Sequence, residues 1–328
     1  MAACISQLKK SNEKSMIYEL INQVLDIGAI PSDTFLITAS AKAGIDNIVE
    51  STGLNKSDMN NNFLPYIGDY ISQKLSLPGK SLHISAACAS STVAIAKGAA
   101  LIESGRYDSV LICCFDLVTE FIFSGFCSLQ AMSPFPCKPF DIDRKGMSIG
   151  EGAAALLLMS PEKAKKANKT PMGALLGWAV TNDATHITRP DVEGSGLALA
   201  VKKSLTKAGI ASDSVSAMCA HGTGTIYNDL MELAAYKMVF GNKQMPIFSV
   251  KGAIGHTLGA AGGIETALSL KCLSHGIIPP TAGFSVPEKG AEDLVSSNPV
   301  KTDITYILCT NSGFTGVNGA LVMEKEAC

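Results

Sequence analysis

The chain has 328 residues, 47% hydrophobic and 17% charged, with a formal net charge of −2. That balance fits a large buried core and excludes a disordered chain. A charge so near zero makes no electrostatic case for nucleic acid. Met1 to Ser15 is polar and lysine-containing, without the apolar stretch of a signal peptide, and the longest apolar run, Ala153 to Met159, is far too short to span a bilayer. The expectation is a cytoplasmic protein whose ten cysteines are reduced thiols. No CxxC pair or Cys/His cluster has zinc spacing, so no metal is expected.

In chain order, Met16 to Ile27 reads as an amphipathic helix, Thr34 to Thr38 as a strand and Asn61 to Leu75 as a helix. A short β-like run, Ser81 to Ile84, leads into Ser85-Ala86-Ala87-Cys88-Ala89-Ser90-Ser91, and an Ala-rich helical run follows from Thr92 to Ser104. Ser109 to Cys114 and Ala153 to Met159 read as buried strands. Met172 to Thr181 is strand-like, and Gly196 to Ala208 has helical apolar spacing. Val215 to Ala220 is a strand ending at His221. A helix from Asp229 to Phe240, a strand from Ile247 to Val250 and a small-residue helix from Gly262 to His275 come next. Tyr306 to Thr310 is the last strand. Apolar strands alternating with helices imply an α/β protein with sheet covered on both faces. A faint duplication relates strand, Cys88, small-residue helix and Gly105 to strand, His256, small-residue helix and Gly276. Two copies of one unit would bring two helix N-termini to a shared centre.

Three residues stand out chemically. Cys88 lies at a strand-to-helix junction, where backbone N–H groups and the helix dipole favour a thiolate. It should therefore be the most thiol-reactive cysteine. His221 opens His221-Gly222-Thr223-Gly224-Thr225, and His256 closes Lys251-Gly252-Ala253-Ile254-Gly255-His256. One thiol and two histidines in Gly-rich junctions suggest thioester chemistry. Cys113, Cys114, Cys219, Cys272 and Cys309 read as apolar filler. Asp141, Asp143, Arg144 and Glu151 read as a salt-bridged block rather than a metal site, because the arginine repels a cation.

Four blocks in order resemble the β-ketoacyl synthases of the thiolase superfamily. They are Ala87-Cys88-Ala89-Ser90-Ser91; Pro139-Phe140-Asp141 through Gly146, followed by Gly150-Glu151-Gly152; Ala220-His221-Gly222-Thr223-Gly224-Thr225 with Asn228, Asp229 and Glu232; and Lys251 to His256 with Gly259 to Gly262. A fifth, Asn311 to Asn318, is a degraded form of the closing NSFGFGGxN loop. The resemblance implies a thiolase-like fold of two duplicated halves in five α-β-α-β-α layers. Residues 1–160 would carry the nucleophile and 161–328 the two histidines. It implies that Cys88 takes an acyl group and that His221 and His256 stabilise the enolate of a malonyl thioester. The backbone N–H groups of Cys88 and Phe314 would hold the second oxyanion. Lys251 would pair with Glu232, Asp229 would order the His221 loop, and Thr223 and Thr225 would bind the phosphopantetheine arm. Phe126 would line the acyl pocket and Phe314 would act as gate. No cofactor is implied beyond the phosphopantetheine of an acyl carrier protein. That carrier is one expected partner; the other is a second copy or a second ketosynthase-like subunit.

The chain also departs from the family. Only 87 residues precede Cys88, the stretch from Met132 to Phe140 is short, and Thr315 stands where glycine is preferred. Because threonine does not readily adopt positive φ, the closing loop should be stiff. The shortened N-terminal region implies an exposed apolar surface that needs a partner. Two activities remain open: a condensing enzyme, or a chain-length-factor-like partner subunit with little chemistry of its own. A stand-alone acyltransferase or coenzyme A-primed initiator is a third. Initiators of the Cys-His-Asn type would need asparagine at His256.

Overall fold

A computed structural model describes residues 2–4, 15–46 and 63–326. Two mixed sheets run through the molecule. The first has the order β3-β2-β4-β6, from β2 (Phe35–Ala39), β3 (Ser81–Ile84), β4 (Ser109–Asp116) and β6 (Gly152–Met159). The second has the order β7-β13-β12-β8-β9, from β7 (Ala174–Asn182), β8 (Ala217–Cys219), β9 (Ile247–Phe248), β12 (Tyr306–Ser312) and β13 (Val317–Glu324). β2 pairs in parallel with β3 and β4, and β8 with β9 and β12, while β6 runs antiparallel to β4 and β13 antiparallel to β12 and β7. Short two-residue strands pair β1 (Ala2–Ala3) with β5 (Ile149–Gly150) and β10 (Ile277–Ile278) with β11 (Val300–Lys301).

Alternation along the strands decides the layers. In the first sheet, Ile37, Ala39, Ile112 and Cys114 face inward. Leu36, Leu111, Cys113 and Phe115 face outward against α1 (Ile17–Asn22) and α2 (Leu64–Lys74). In the second sheet, Cys219, Ile307, Cys309 and Leu321 face inward. Met218, Leu308, Ala320 and Val322 face outward against α6 (Ser195–Ala208) and α7 (Ile226–Phe240). Between the sheets lie α3 (Ser90–Glu103) and α9 (Ala261–His275). These are the five expected layers, helix-sheet-helix-sheet-helix.

Small residues let the central layer close. A Cβ at Gly262 would sit 2.0 Å from Thr92 Oγ1, and one at Gly263 would sit 2.2 Å from Cys114 Sγ. The Gly263 N–H instead donates to Ser91 Oγ at 2.9 Å. The two related units thus meet helix start to helix start, as the faint duplication implies.

Element types follow the sequence reading, with ends shifted by a few residues. The helix expected from Asn61 is described from Leu64, and positions 61–62 lie outside the described residues, as does most of the polar N-terminus. The elements not legible in the sequence include α4 (Glu120–Ser128), the short α5 (Pro161–Lys166) and strand β13. β13 begins Val-Asn-Gly, which reads as a turn; seven paired positions with β12 override that local preference. No helix among the described residues is long and apolar enough to cross a membrane.

Candidate active site

Cys88 is carried on a tight turn between β3 and α3. Ala87 has φ 47°, in the left-handed region. Ser90 Oγ fastens the turn, accepting from Ala86 N at 2.8 Å and donating to Ala87 O at 2.6 Å. This projects Cys88 at the head of α3, in the manner of a nucleophile elbow. The side chain is buried. The backbone N–H of Phe314 points at its sulfur and, with the Lys251 ammonium, favours the thiolate. Burial outweighs both and pushes the thiol up to about 11. The helix terminus that favours a thiolate at Cys88 thus works against the cost of burying it.

Both histidines converge on the same cleft, with ring centroids 5.0 Å apart and planes at 87°. His221 follows β8, and its loop is clamped from behind. Glu232 Oε1 accepts from His221 N at 2.7 Å and Oε2 from Gly222 N at 2.6 Å. Asp229 accepts from Thr223 N at 3.1 Å, Gly224 N at 3.2 Å and Phe140 N at 2.8 Å. It therefore orders this loop as expected. His256 is fixed by its own backbone: its N–H donates to Ser148 O at 2.7 Å and its carbonyl accepts from Gly150 N at 3.0 Å. That approach needs glycine at 255, where φ is 74° and a Cβ would lie 2.7 Å from Ile149 O. Burial, first, and the Lys251 cation hold both imidazoles well below the usual histidine range. Both rings are neutral and can donate one N–H.

Lys251 does not pair with Glu232. Its fully buried ammonium pairs with Glu265 on α9. Burial opposes its charge, but the Glu265 carboxylate outweighs that and holds the lysine above its ordinary range. Glu232 is spent on backbone N–H groups and Asn228 Nδ2. Sequence reasoning missed Glu265 because a single glutamate inside a helix carries no signal until α9 is placed between the sheets. It also gave no role to Asn311. The Asn311 amide donates to Glu265 Oε2 at 2.6 Å and lies 3.2 Å from His221 Nδ1, while its oxygen accepts from Thr92 Oγ1.

Arg144 is buried and bonded to Glu288 at 2.7 Å, with Asp229 3.8 Å away. Asp141 accepts from Val286 N and Ser285 N. The 139–146 block is therefore a structural clasp. Its far end meets the His221 loop, where Gly146 N donates to Gly224 O at 3.0 Å.

The cleft encloses about 450 Å³ and is walled by Cys88, His221, His256, Thr223, Thr225 and Phe314, among others. Thr223 and Thr225 face each other through their hydroxyls at 2.8 Å. Phe126 is not among its walls; its ring lies 5.7 Å from that of Phe314, behind the gate position. Thr315 does adopt a left-handed conformation, with φ 71° and ψ 9°. Neighbours hold it there: its N–H donates to Ile187 O at 2.6 Å, and Asn182 Nδ2 donates to its carbonyl at 2.9 Å. The loop of residues 186–190 also lines the cleft.

Residues 37–164 match the β-ketoacyl synthase N-terminal domain and residues 172–285 the β-ketoacyl synthase C-terminal domain. The 3-oxoacyl-[acyl-carrier-protein] synthase 2 of Coxiella burnetii (strain RSA 493 / Nine Mile phase I) is 33% identical over 265 residues, which are 78% of this chain and 64% of that protein. The chain thus spans a little under two thirds of this relative's length. A β-ketoacyl synthase from Burkholderia phymatum STM815 superposes with a TM-score of 0.85 at 26% identity, covering 92% of this chain and 78% of that one. The ishigamide ketosynthase/chain length factor superposes at 0.83 and 26%, covering 90% and 76%. The fold is thiolase-like, and with both family domains matched in order across most of its length, the chain belongs to the β-ketoacyl synthase family.

Proposed function

We propose that the chain is a β-ketoacyl-[acyl-carrier-protein] synthase acting through an acyl-Cys88 intermediate. One observation carries this reading: Cys88, two neutral histidines and the Phe314 N–H share a single cleft. In the first half-reaction Cys88 sulfur bonds to the acyl carbon and the carrier thiol departs with the Cys88 proton. The carbonyl oxygen, as it becomes an oxyanion, lies against the N–H groups of Cys88 and Phe314. In the second, a malonyl thioester loses CO₂, and the enolate oxygen accepts from His221 and His256. The carbanion attacks the acyl carbon, the new C–C bond forms, and Cys88 leaves as thiolate and regains a proton. Thr223 and Thr225 hydrogen-bond the arm that delivers both thioesters. The group needs no cofactor of its own, and the site of action is the cytoplasm.

The partners under this reading are an acyl carrier protein and a second ketosynthase-like subunit, a copy of itself or a relative. The relative named for a ketosynthase and chain length factor supports the latter. So does the apolar surface of α4, where Phe121, Phe123 and nearby Leu129 and Phe135 are exposed. A pure partner subunit is the weaker reading, because the nucleophile and both histidines are present and correctly gathered.

The test is intact-mass analysis after exposure to an acyl carrier thioester, followed by malonyl carrier protein. The expected result is an acyl adduct on Cys88, then a β-ketoacyl product. His221→Ala or His256→Ala should retain the adduct but lose decarboxylation by about 10²–10³-fold. An unreacted Cys88, with or without the partner subunit, would overturn the enzyme reading.

A further inference from the structure

The two histidines are held in different ways. His221 has a side-chain partner, the Asn311 amide at its Nδ1. The Nδ1 of His256 is buried and has no hydrogen-bond partner among the described residues. The placing of that ring therefore falls to the backbone on either side of it. On the N-terminal side, Gly255 and the bonds to Ser148 and Gly150 fix the chain. On the C-terminal side the chain runs through Thr257 and Leu258 to Gly259, and there it meets Asp116.

Asp116 closes β4 and is fully buried, with no cation paired to it among the described residues. Hydrogen-bond donors meet its carboxylate instead. Oδ2 accepts from Gly259 N at 2.6 Å and Ala41 N at 2.8 Å. Oδ1 accepts from Ser40 Oγ at 2.7 Å and Lys42 N at 3.1 Å. One carboxylate thus ties the turn after β2 to the segment behind His256, through charge-assisted bonds that are stronger than neutral ones. The contact is tight: a Cβ at Gly259 would lie 2.5 Å from Ala41 N and 2.6 Å from Asp116 Oδ2. Between His256 and this tie, Leu258 has φ 53°, a conformation that leucine adopts only when its surroundings impose it. The Leu258 side chain is buried against Ile122, Met147 and Ile149.

We propose that Asp116 is a positioning residue for His256: by holding the Gly259 N–H it fixes the left-handed turn at Leu258, and with it the direction in which the His256 ring enters the cleft. The catalytic consequence rests on the reading given above, in which His256 donates to the enolate oxygen. The placing of the ring is a property of the resting protein and needs no turnover.

The experiment reads ring position and rate separately in the full chain, at mildly alkaline pH. There Asp116 is ionised, although burial raises its carboxyl to about 6. Asp116→Ala removes the acceptor. Asp116→Asn is the conservative control, because its amide oxygen can still accept from Gly259 N while its Nδ2 faces Ser40 Oγ. In NMR spectra of isotope-labelled histidine, Asp116→Ala should shift or broaden the His256 ring signals and leave those of His221 in place; Asp116→Asn should restore them. For malonyl decarboxylation, kcat should fall about 10–100-fold in Asp116→Ala with KM unchanged, the scale on which a displaced reacting group costs rate, and recover in Asp116→Asn. Acylation of Cys88 should not fall, because its oxyanion donors are backbone N–H groups and the Asp116 charge is one of those that push its thiol up. If Asp116→Ala does not fold, Gly259→Ala, which forces the same contact apart from the other side, decides by the same spectrum. Unmoved His256 signals in the folded variant, or equal loss in both half-reactions, would overturn the proposal. His256 signals that move in a protein whose parent never decarboxylates a malonyl thioester would uphold the positioning and fail only the catalytic reading.

Discussion

Asn311 Nδ2 stands 3.2 Å from Nδ1 of His221 and 2.6 Å from Oε2 of Glu265. The amide donates to the ring nitrogen, so Nδ1 is an acceptor and the neutral imidazole carries its proton on Nε2. Asn311 thereby joins the Lys251–Glu265 pair to the histidine that, under the proposed reading, donates to the enolate.

Asn311→Ala should lower malonyl decarboxylation by about 10–100-fold, the cost seen when a group that orients a metal-bound histidine is lost. Acylation of Cys88 should persist, because its oxyanion donors are backbone N–H groups. Separate assays of the two half-reactions decide this; equal loss in both would mean that Asn311 only supports the fold.

Lys251→Ala should destabilise the protein by roughly 3–5 kcal/mol, because it leaves the buried Glu265 without its cation and with only the Asn311 amide as donor. Lys251→Met combined with Glu265→Gln should recover much of that loss, since it removes both charges. Urea unfolding of the single and double variants measures the coupling. If Lys251→Ala melted like the parent, the pair would carry no such penalty.

Cys88, with its thiol pushed up to about 11, should be alkylated slowly by iodoacetamide at neutral pH. The exposed Cys4 and Cys127 should be labelled first. Cys88 labelling should rise about tenfold per pH unit as its thiolate fraction grows. Peptide mapping across the pH series reads this directly. Preferential neutral-pH labelling of Cys88 would show that the thiolate is stabilised more than burial allows.

Thr315→Gly should raise stability by about 1 kcal/mol. A β-branched residue at φ 71° carries about 1–3 kcal/mol of strain, part of which glycine's greater unfolded-chain entropy offsets. The freed loop should exchange its Phe314 amide hydrogen faster. A stability loss beyond 1 kcal/mol would show that the threonine side chain, not its backbone strain, governs the loop.

The alternation of apolar strands and helices in the sequence determined the α/β class, its Gly-rich junctions singled out Cys88, His221 and His256, and the five layers were what the family resemblance implies. Periodicity encodes which face of a strand is apolar, and Gly-punctuated junctions mark where a chain must turn sharply. The same resemblance marked Asp229 as a brace for the His221 loop. Only the tertiary structure decided the partner of Lys251, since Glu265 becomes its neighbour when α9 slides between the sheets on Gly262 and Gly263. The same holds for Asn311, brought to His221 from 90 residues away. The protonation state of Cys88 was likewise out of reach. A helix terminus is visible in sequence, but the desolvation that opposes it depends on how much protein surrounds the sulfur in three dimensions.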